Sequence, residues 1–214
     1  MPTEKSYKIR TKRDNLFLRV SKGHFATTHS HINYYIDVTT QKTRLSEATA
    51  VAEELVSYYN SSTVIDTILC LDGTQVIGTC FAEKLTRENF MNLNAHRTVY
   101  VVTPEHTQGS QIIFRDSIVP MIQGKNVLVL AASVSTGYTA KSAIEAIRYY
   151  GGYVAGVAAV FAPVSDCCGY PVCSAFDPTD LSDYGSYPAH ECPMCRRGER
   201  IDALVNQFGF SKLI

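Results

Sequence analysis

Hydroxyl side chains are concentrated in one short loop of the sequence, between an apolar stretch and a segment with helical spacing. The loop lies in the run VLVLAASVSTGYTA, residues 127–140. A glycine there permits a close approach of the backbone to a ligand, and a helix that begins there offers free N–H groups and a positive dipole end. The pattern predicts a phosphate site formed by Ser133, Ser135, Thr136, Gly137, Tyr138 and Thr139. An ordinary strand-to-helix turn is the alternative, because such turns also favour Ser, Thr and Gly.

A second group of reactive side chains lies near the C-terminus, in SDCCGYPVC (165–173) and HECPMC (190–195). Cys192 and Cys195 form a C-x-x-C pair whose thiolates can share one metal ion. We expect a structural zinc ion on Cys173, Cys192 and Cys195, with Cys168 or His190 as the fourth ligand. An iron–sulfur cluster and reduced, unliganded cysteines are the alternatives.

Apolar stretches that alternate with helical patterns predict the elements that position these residues. Strands are expected at 63–71, 98–103, 126–130 and 153–162, and helices at 46–59, 76–87 and 139–150. Alternation of this kind predicts an α/β fold, with a parallel sheet flanked by helices. Ligands in such folds bind beyond the carboxyl ends of the strands, where the hydroxyl-rich loop falls.

The character of the chain changes near Pro163, where Cys, Pro, Gly, Asp and Tyr become frequent. We therefore expect an α/β domain over residues 1–163 and a Cys-rich tail over residues 164–214. The apolar residues in ERIDALVNQFGF have helical spacing and predict a short closing helix, with one face formed by Ile201, Leu204, Val205 and Phe208.

Charge and hydropathy limit the classes of partner. The 214 residues include 20 Lys and Arg and 20 Asp and Glu. A neutral chain lacks the broad positive field that nucleic acids or anionic membranes attract, so neither is expected as a partner. The basic segment from Lys5 to Lys22 is interpreted as solvated or subunit-facing. No leader peptide or membrane-spanning run is recognisable, which predicts a cytoplasmic protein.

Residues 127–139 resemble the ribose-phosphate signature of the type I phosphoribosyltransferases, a hydrophobic strand and two acids followed by a Thr/Gly-rich loop that opens a helix. The stretch 23–37, GHFATTHSHINYYID, resembles the N-terminal segment of orotate phosphoribosyltransferases. The resemblance covers residues 15–163. It implies the fold of that family, a place in pyrimidine metabolism, a homodimer, and a phosphorylated ligand such as a nucleoside monophosphate or phosphoribosyl pyrophosphate.

The sequence departs from the family at positions that the resemblance assigns to ribose, metal and pyrophosphate. Ala131 and Ala132 stand where the family has two acids, and the mobile-loop equivalent TPEHTQGSQ has no Arg or Lys. The possible pyrophosphate or base site comprises Asp72, Gly73, Thr74, His31 and His106. Two charged hydrogen bonds, at roughly 1.5–3 kcal/mol each, are lost with the acids.

The loss of these residues predicts a protein that binds a nucleotide or sugar phosphate through residues 133–139 but has no transferase activity. One alternative is an active, Mg²⁺-dependent phosphoribosyltransferase in which Asp37, Asp72, Glu105 or Asp116 replaces the missing acids. Another is a non-catalytic regulatory or scaffold protein that uses the Cys-rich tail and basic N-terminus. A site built on His29, His31 and His106 is a further possibility, since histidine transfers protons near neutral pH.

Overall fold

A computed structural model describes residues 6–10, 16–59, 61–87, 92–95, 97–108, 111–206 and 208–213 of the chain. Lys5, Lys12 and Arg13 of the basic N-terminal segment lie outside these residues, as do residues 109 and 110 of the stretch TPEHTQGSQ. Within the described residues, no helix has the length and apolar character that crossing a membrane requires.

Strands and helices alternate through most of the chain. The strands are β1 (Ser6–Arg10), β2 (Phe17–Ala26), β3 (His31–Asp37), β4 (Thr67–Cys70), β5 (Tyr100–Val102), β6 (Glu105–His106), β7 (Ile112–Ile113), β8 (Asn126–Ser133), β9 (Tyr153–Phe161), β10 (Asp166–Cys167), β11 (Tyr170–Phe176), β12 (Ser186–Tyr187), β13 (Ala203–Asn206) and β14 (Gly209–Lys212). The α-helices are α1 (Thr39–Thr43), α2 (Leu45–Val56), α3 (Gln75–Thr86), α4 (Tyr138–Tyr149) and α5 (Pro193–Arg196), with 3₁₀ turns at Val119–Met121 and Ala189–Glu191.

The central sheet confirms the predicted parallel α/β architecture. Its strands run in the order β10-β11-β9-β8-β4-β5, and all neighbouring pairs are parallel except β10 with β11. Every residue of β4 is buried, as are the six residues 127–132 of β8, because helices cover both faces. Helices α2 and α3 pack on one face through Leu55 and Phe81, and α4 packs on the other through Ile144 and Ile147.

A second sheet, here called the roof sheet, is formed by β12-β3-β2-β13-β14, with β1 paired to β2. It faces the central sheet across a cleft that residues from both sheets line. Strand β13 runs parallel to β2, with Ala203 opposite Phe25, and returns antiparallel as β14.

The predicted closing helix at the C-terminus is wrong, since this segment is the β13–β14 hairpin. Ala203 is fully buried against the roof sheet, whereas Leu204 is 50% and Phe208 87% exposed. The apolar residues therefore do not share one buried face, and long-range pairing with β2 decides the local structure. The division at residue 163 stays a prediction, and the chain beyond it contributes β11 to the central sheet and β12–β14 to the roof sheet.

Candidate functional site

The cleft lies at the carboxyl ends of β4 and β8, where the sheet topology favours ligand binding. The chain leaves β4 into α3 on one face of the sheet and leaves β8 into α4 on the opposite face. The two connections diverge, so a crevice opens between them. The cleft has a volume of about 220 Å³ and includes side chains from the loop after β8, from Asp72 and from the roof sheet.

Residues 133–139, here called the phosphate loop because a phosphate site is predicted there, lie at the end of β8 and the start of α4. Ser133, Ser135, Thr136 and Thr139 line the cleft. Ser133, Thr136 and Thr139 are exposed, whereas Ser135 is half-buried and hydrogen bonds with Tyr184. Burial raises the pKa of the Tyr184 phenol to about 12. Three hydroxyls are therefore open to a ligand, and the fourth is held in place by a neutral phenol.

The N-terminus of α4 adds backbone donors to these hydroxyls. Gly137 precedes the helix with φ +73°, and in the described part of the chain no side chain caps this end. The first N–H groups of a helix have no intrahelical partner, and the helix dipole favours an anion beside them. A phosphate group beside the loop would receive hydrogen bonds from both backbone and side chains.

Replacing Gly137 by alanine is expected to lower the free energy of unfolding by about 1–2 kcal/mol, because left-handed backbone disfavours a Cβ atom. The added Cβ would also lie 3.1 Å from Cys167 Sγ. Gly169 is the matched control, since its φ is +82° but no atom lies within 4 Å of its Cβ position. Urea unfolding of both alanine variants should give the larger loss for Gly137. Equal losses would contradict the contact with Cys167.

The turn between β2 and β3 closes over the phosphate loop. Within the turn, Thr27 Oγ1 donates to the Ser30 carbonyl and accepts from Ser30 N–H, both at 2.9 Å. The His29 ring stacks on Tyr138, with 4.1 Å between centroids and 34° between planes. This ring contact joins the roof sheet to the first residue of α4.

Asp72 lies beside the position where the sequence lacks its two acids. Its backbone is left-handed, with φ +53°, and its carboxylate accepts a hydrogen bond from the Ala132 N–H. Burial raises the pKa of this carboxyl, while the Ala132 hydrogen bond and the charges of Lys42 and His106 act in the opposite direction. Ala131 and Ala132 are both buried. A carboxylate from the turn after β4 therefore occupies the vicinity of the lost pair.

The other acids considered as replacements are placed less favourably. Glu105 forms a two-point ion pair with Arg115, which lowers the pKa of the carboxyl. Asp37 accepts from Thr39 N–H at 3.0 Å, and Asp116 is exposed. Of these four acids, Asp72 alone lines the cleft in the part of the chain that the structure describes.

The predicted pyrophosphate or base residues do not all meet at one place. Asp72, Gly73 and His106 line a hollow of about 660 Å³ next to the cleft. Thr74 is fully buried, and its single hydroxyl proton lies between the carbonyl oxygens of Leu71 and Leu130, so the hydroxyl is occupied. His31 lies elsewhere, against His24, so no joint site of His29, His31 and His106 is formed.

Lys42 is a functional candidate that no motif in the sequence indicates. It lies on α1 and lines both the cleft and the neighbouring hollow. Its ammonium donates to the Asp72 carbonyl at 2.9 Å. A single lysine in the polar run TTQKT gives no motif, so the sequence offered no signal for this role.

The metal ligands predicted from the Cys-rich tail require correction. The ligand atoms of His24, His31, Cys192 and Cys195 lie within 4.8 Å of one another, and this group, here called the His–Cys cluster, could hold a metal ion. Cys173 lies instead on β11 beside Tyr59, and Cys168 is exposed in the β10–β11 turn. His190 is exposed and pairs with Glu191. Only Cys192 and Cys195 of the predicted set remain, because pairing in the central sheet holds Cys173 there.

Comparisons with known proteins give the fold. No family model matches the chain, and no curated protein matches it. A structure of Leishmania donovani UMP synthase is similar over 76% of this chain and 34% of the synthase chain, at 18% identity and TM-score 0.55. The orotate phosphoribosyltransferase of Mycobacterium tuberculosis, solved with Fe(III) dicitrate, is similar over 77% of this chain and 92% of its own chain, at 18% identity and TM-score 0.52. The adenine phosphoribosyltransferase of Trypanosoma brucei, in complex with AMP, pyrophosphate and ribose-5-phosphate, matches 78% of each chain, at 15% identity and TM-score 0.52. These similarities show a type I phosphoribosyltransferase fold.

Proposed function

We propose that this chain, on its type I phosphoribosyltransferase fold, binds a nucleoside monophosphate or a similar phosphate ester without transferring the phosphoribosyl group. The observation that carries the proposal is the contrast within one loop. The open hydroxyls and the uncapped end of α4 lie beside two buried alanines that can hold neither ribose nor a metal ion.

Different parts of the cleft would bind different parts of the ligand. The phosphate loop would hold the 5′-phosphate, and Lys42, which lines the same cleft, would add a positive charge. Base and ribose would lie between the roof sheet and the hollow that contains His106. Pyrimidine nucleotides are the first ligands to test, because orotate phosphoribosyltransferase and UMP synthase structures share the fold.

We also propose a homodimer, which light scattering on the purified chain would test.

Thr136→Ala is expected to weaken binding of a pyrimidine monophosphate about tenfold, because one hydrogen bond to a charged phosphate is lost. Isothermal titration calorimetry with UMP, orotidine monophosphate and ribose-5-phosphate measures the effect. Thr79→Ala is the matched control, because its exposed hydroxyl bonds to the Gln75 carbonyl within α3, away from the cleft. Absence of heat with every phosphate ester, or equal weakening by both variants, would contradict the proposal.

A second candidate function is an active phosphoribosyltransferase, and the placement of Asp72 beside Ala132 is the observation that favours it. Here Asp72 would replace the missing acids in holding the ribose hydroxyls of phosphoribosyl pyrophosphate and its Mg²⁺ ion. Pyrophosphate release with phosphoribosyl pyrophosphate, Mg²⁺ and orotate, uracil or adenine tests this activity. If no base gives pyrophosphate release, the transferase activity is contradicted and only ligand binding is retained as a function.

A further inference from the structure

We propose that His24, His31, Cys192 and Cys195 bind one structural zinc ion, and that this ion fastens the C-terminal segment to the roof of the cleft. One ligand, His24, lies before the β2–β3 turn and one, His31, lies after it. The other two ligands are the C-x-x-C pair at α5. The zinc site stands on its own geometry, whereas its effect on ligand binding rests on the proposed function.

The distances within the His–Cys cluster fit one tetrahedral ion. In a tetrahedron the edge is about 1.6 times the metal–ligand bond, so Zn–N and Zn–S bonds give edges of about 3.3–3.8 Å. His24 Nε2 lies 3.1 Å from His31 Nδ1 and 3.5 Å from Cys192 Sγ. Cys195 Sγ lies 3.6 Å from His24 Nε2 and 3.2 Å from His31 Nδ1. The remaining pairs of ligand atoms lie within 4.8 Å of each other, so all four atoms are close enough to bind one ion.

An independent contact prepares His24 for metal binding. Its other ring nitrogen, Nδ1, lies 3.1 Å from the Glu199 carbonyl oxygen. A carbonyl only accepts, so Nδ1 carries the proton and Nε2 presents its lone pair to the centre of the cluster. Such a second hydrogen bond orients metal-binding histidines in general. His24 and Cys192 are also almost fully buried, at 2% and 0% exposure.

The donor set selects zinc. Two thiolates and two imidazoles in a tetrahedron are characteristic of structural zinc, whereas magnesium and calcium prefer oxygen. In a two-iron cluster with two histidines, the cysteines bind one iron and the histidines the other. Cys195 Sγ instead lies 3.6 Å and 3.2 Å from the two imidazole nitrogens, which are 3.1 Å apart, and this spacing leaves room for a single ion.

The cluster connects directly to the walls of the cleft. The turn between His24 and His31 contributes Thr27, Thr28 and His29 to the cleft. Beyond Cys195, Asp202 brackets the His24 backbone, accepting from its N–H and donating to its carbonyl, each at 2.7 Å. The next residues form β13, whose Val205 and Asn206 line the cleft. Zinc would therefore fix the position of the β2–β3 turn relative to β13, two segments that line the ligand site.

Metal analysis tests the site directly. The purified full-length chain is expected to carry one zinc ion, and cobalt exchange should give intense sulfur-to-cobalt charge-transfer absorption with a tetrahedral spectrum. Cys195→Ser and His31→Gln, both at the more accessible edge, should lose zinc. Cys173→Ser and Cys168→Ser should retain it. A metal-free chain, a Cys192–Cys195 disulfide, or zinc lost with Cys173 would overturn the assignment. Cobalt spectra of the unmutated chain keep the test valid if a variant fails to fold.

Ligand binding tests the connection to the cleft. Chelation under reducing conditions should weaken binding of UMP or ribose-5-phosphate at least tenfold, and added zinc should restore it. Thr136→Ala should weaken binding but keep its zinc, which separates the two proposals. Zinc without phosphate-ester binding in either form would overturn the proposed function and leave the metal site standing. Equal affinity with and without zinc would overturn the connection.

Discussion

Replacing Asp72 by asparagine is expected to tighten binding of a phosphate ester on the order of tenfold. The Asp72 carboxylate lines the same cleft as the phosphate loop, and a negative charge there repels a phosphate dianion. A change of about 1.4 kcal/mol corresponds to tenfold in affinity. Asparagine keeps an oxygen that can accept from Ala132 N–H, and it tolerates left-handed backbone well. The substitution therefore removes the charge with little change in geometry.

The same variant has a defined effect on stability as the pH changes. Burial raises the pKa of Asp72 above that of an unfolded aspartate, about 3.9. Ionisation therefore favours the unfolded chain, and the folded protein loses stability as the pH rises through the raised pKa. Asp72→Asn should have the higher free energy of unfolding near neutral pH, and the difference should vanish in acid. Urea unfolding at a series of pH values measures it, with exposed Asp116→Asn as the control.

Asp72→Asn also separates binding from catalysis. If the chain is an active transferase with Asp72 in place of the missing acids, the variant should lose pyrophosphate release, because Mg²⁺ and the ribose hydroxyls lose their carboxylate partner. If the chain only binds, the variant gains affinity and there is no turnover to lose. Weaker binding of a monophosphate by Asp72→Asn would contradict the repulsion on which this prediction depends.

The central sheet could be predicted because the local apolar pattern of each strand identifies it without reference to distant residues. Apolar β-branched runs such as residues 127–130 are buried on both faces, and the amphipathic pattern of α4 gives its inner face of Ala140, Ala143, Ile144 and Ile147. The phosphate loop could be predicted for the same local reason, since a strand, a glycine turn and a helix fix its position. Similarity to solved structures supports this fold.

The C-terminal region was predicted less well because its structure depends on partners far away in sequence. Nothing local distinguishes β13 from a short helix until Ala203 is placed opposite Phe25. The C-x-x-C pair indicated half of the His–Cys cluster, but His24 lies 168 residues from Cys192. Cys173 was the nearer candidate along the chain, and the sheet places it beside Tyr59 instead. Spacing along the chain alone could not identify the second pair of ligands.

Replacing Lys42 by methionine is expected to weaken binding of a phosphate ester about 10- to 100-fold. The stretch TPEHTQGSQ contains no Arg or Lys, whereas Lys42 on α1 lines the cleft and can supply a cation there. A charge-assisted hydrogen bond to phosphate contributes roughly 1.5–3 kcal/mol, which corresponds to this range. Methionine keeps most of the apolar stem of lysine, so packing in the half-buried position changes little.

Two controls distinguish a ligand contact from a general loss of charge. Lys125→Met removes one positive charge just before β8, at the opposite end of the strand from the phosphate loop, and should bind normally. The Lys42 charge also lowers the pKa of Asp72, so Lys42→Met should raise that pKa further and move the pH-dependent loss of stability upward. Calorimetry at increasing salt should show a shallower salt dependence for Lys42→Met than for the unmutated chain. Unchanged affinity, with the shift in the Asp72 titration present, would assign Lys42 a structural role at the turn after β4, where its ammonium donates to the Asp72 carbonyl.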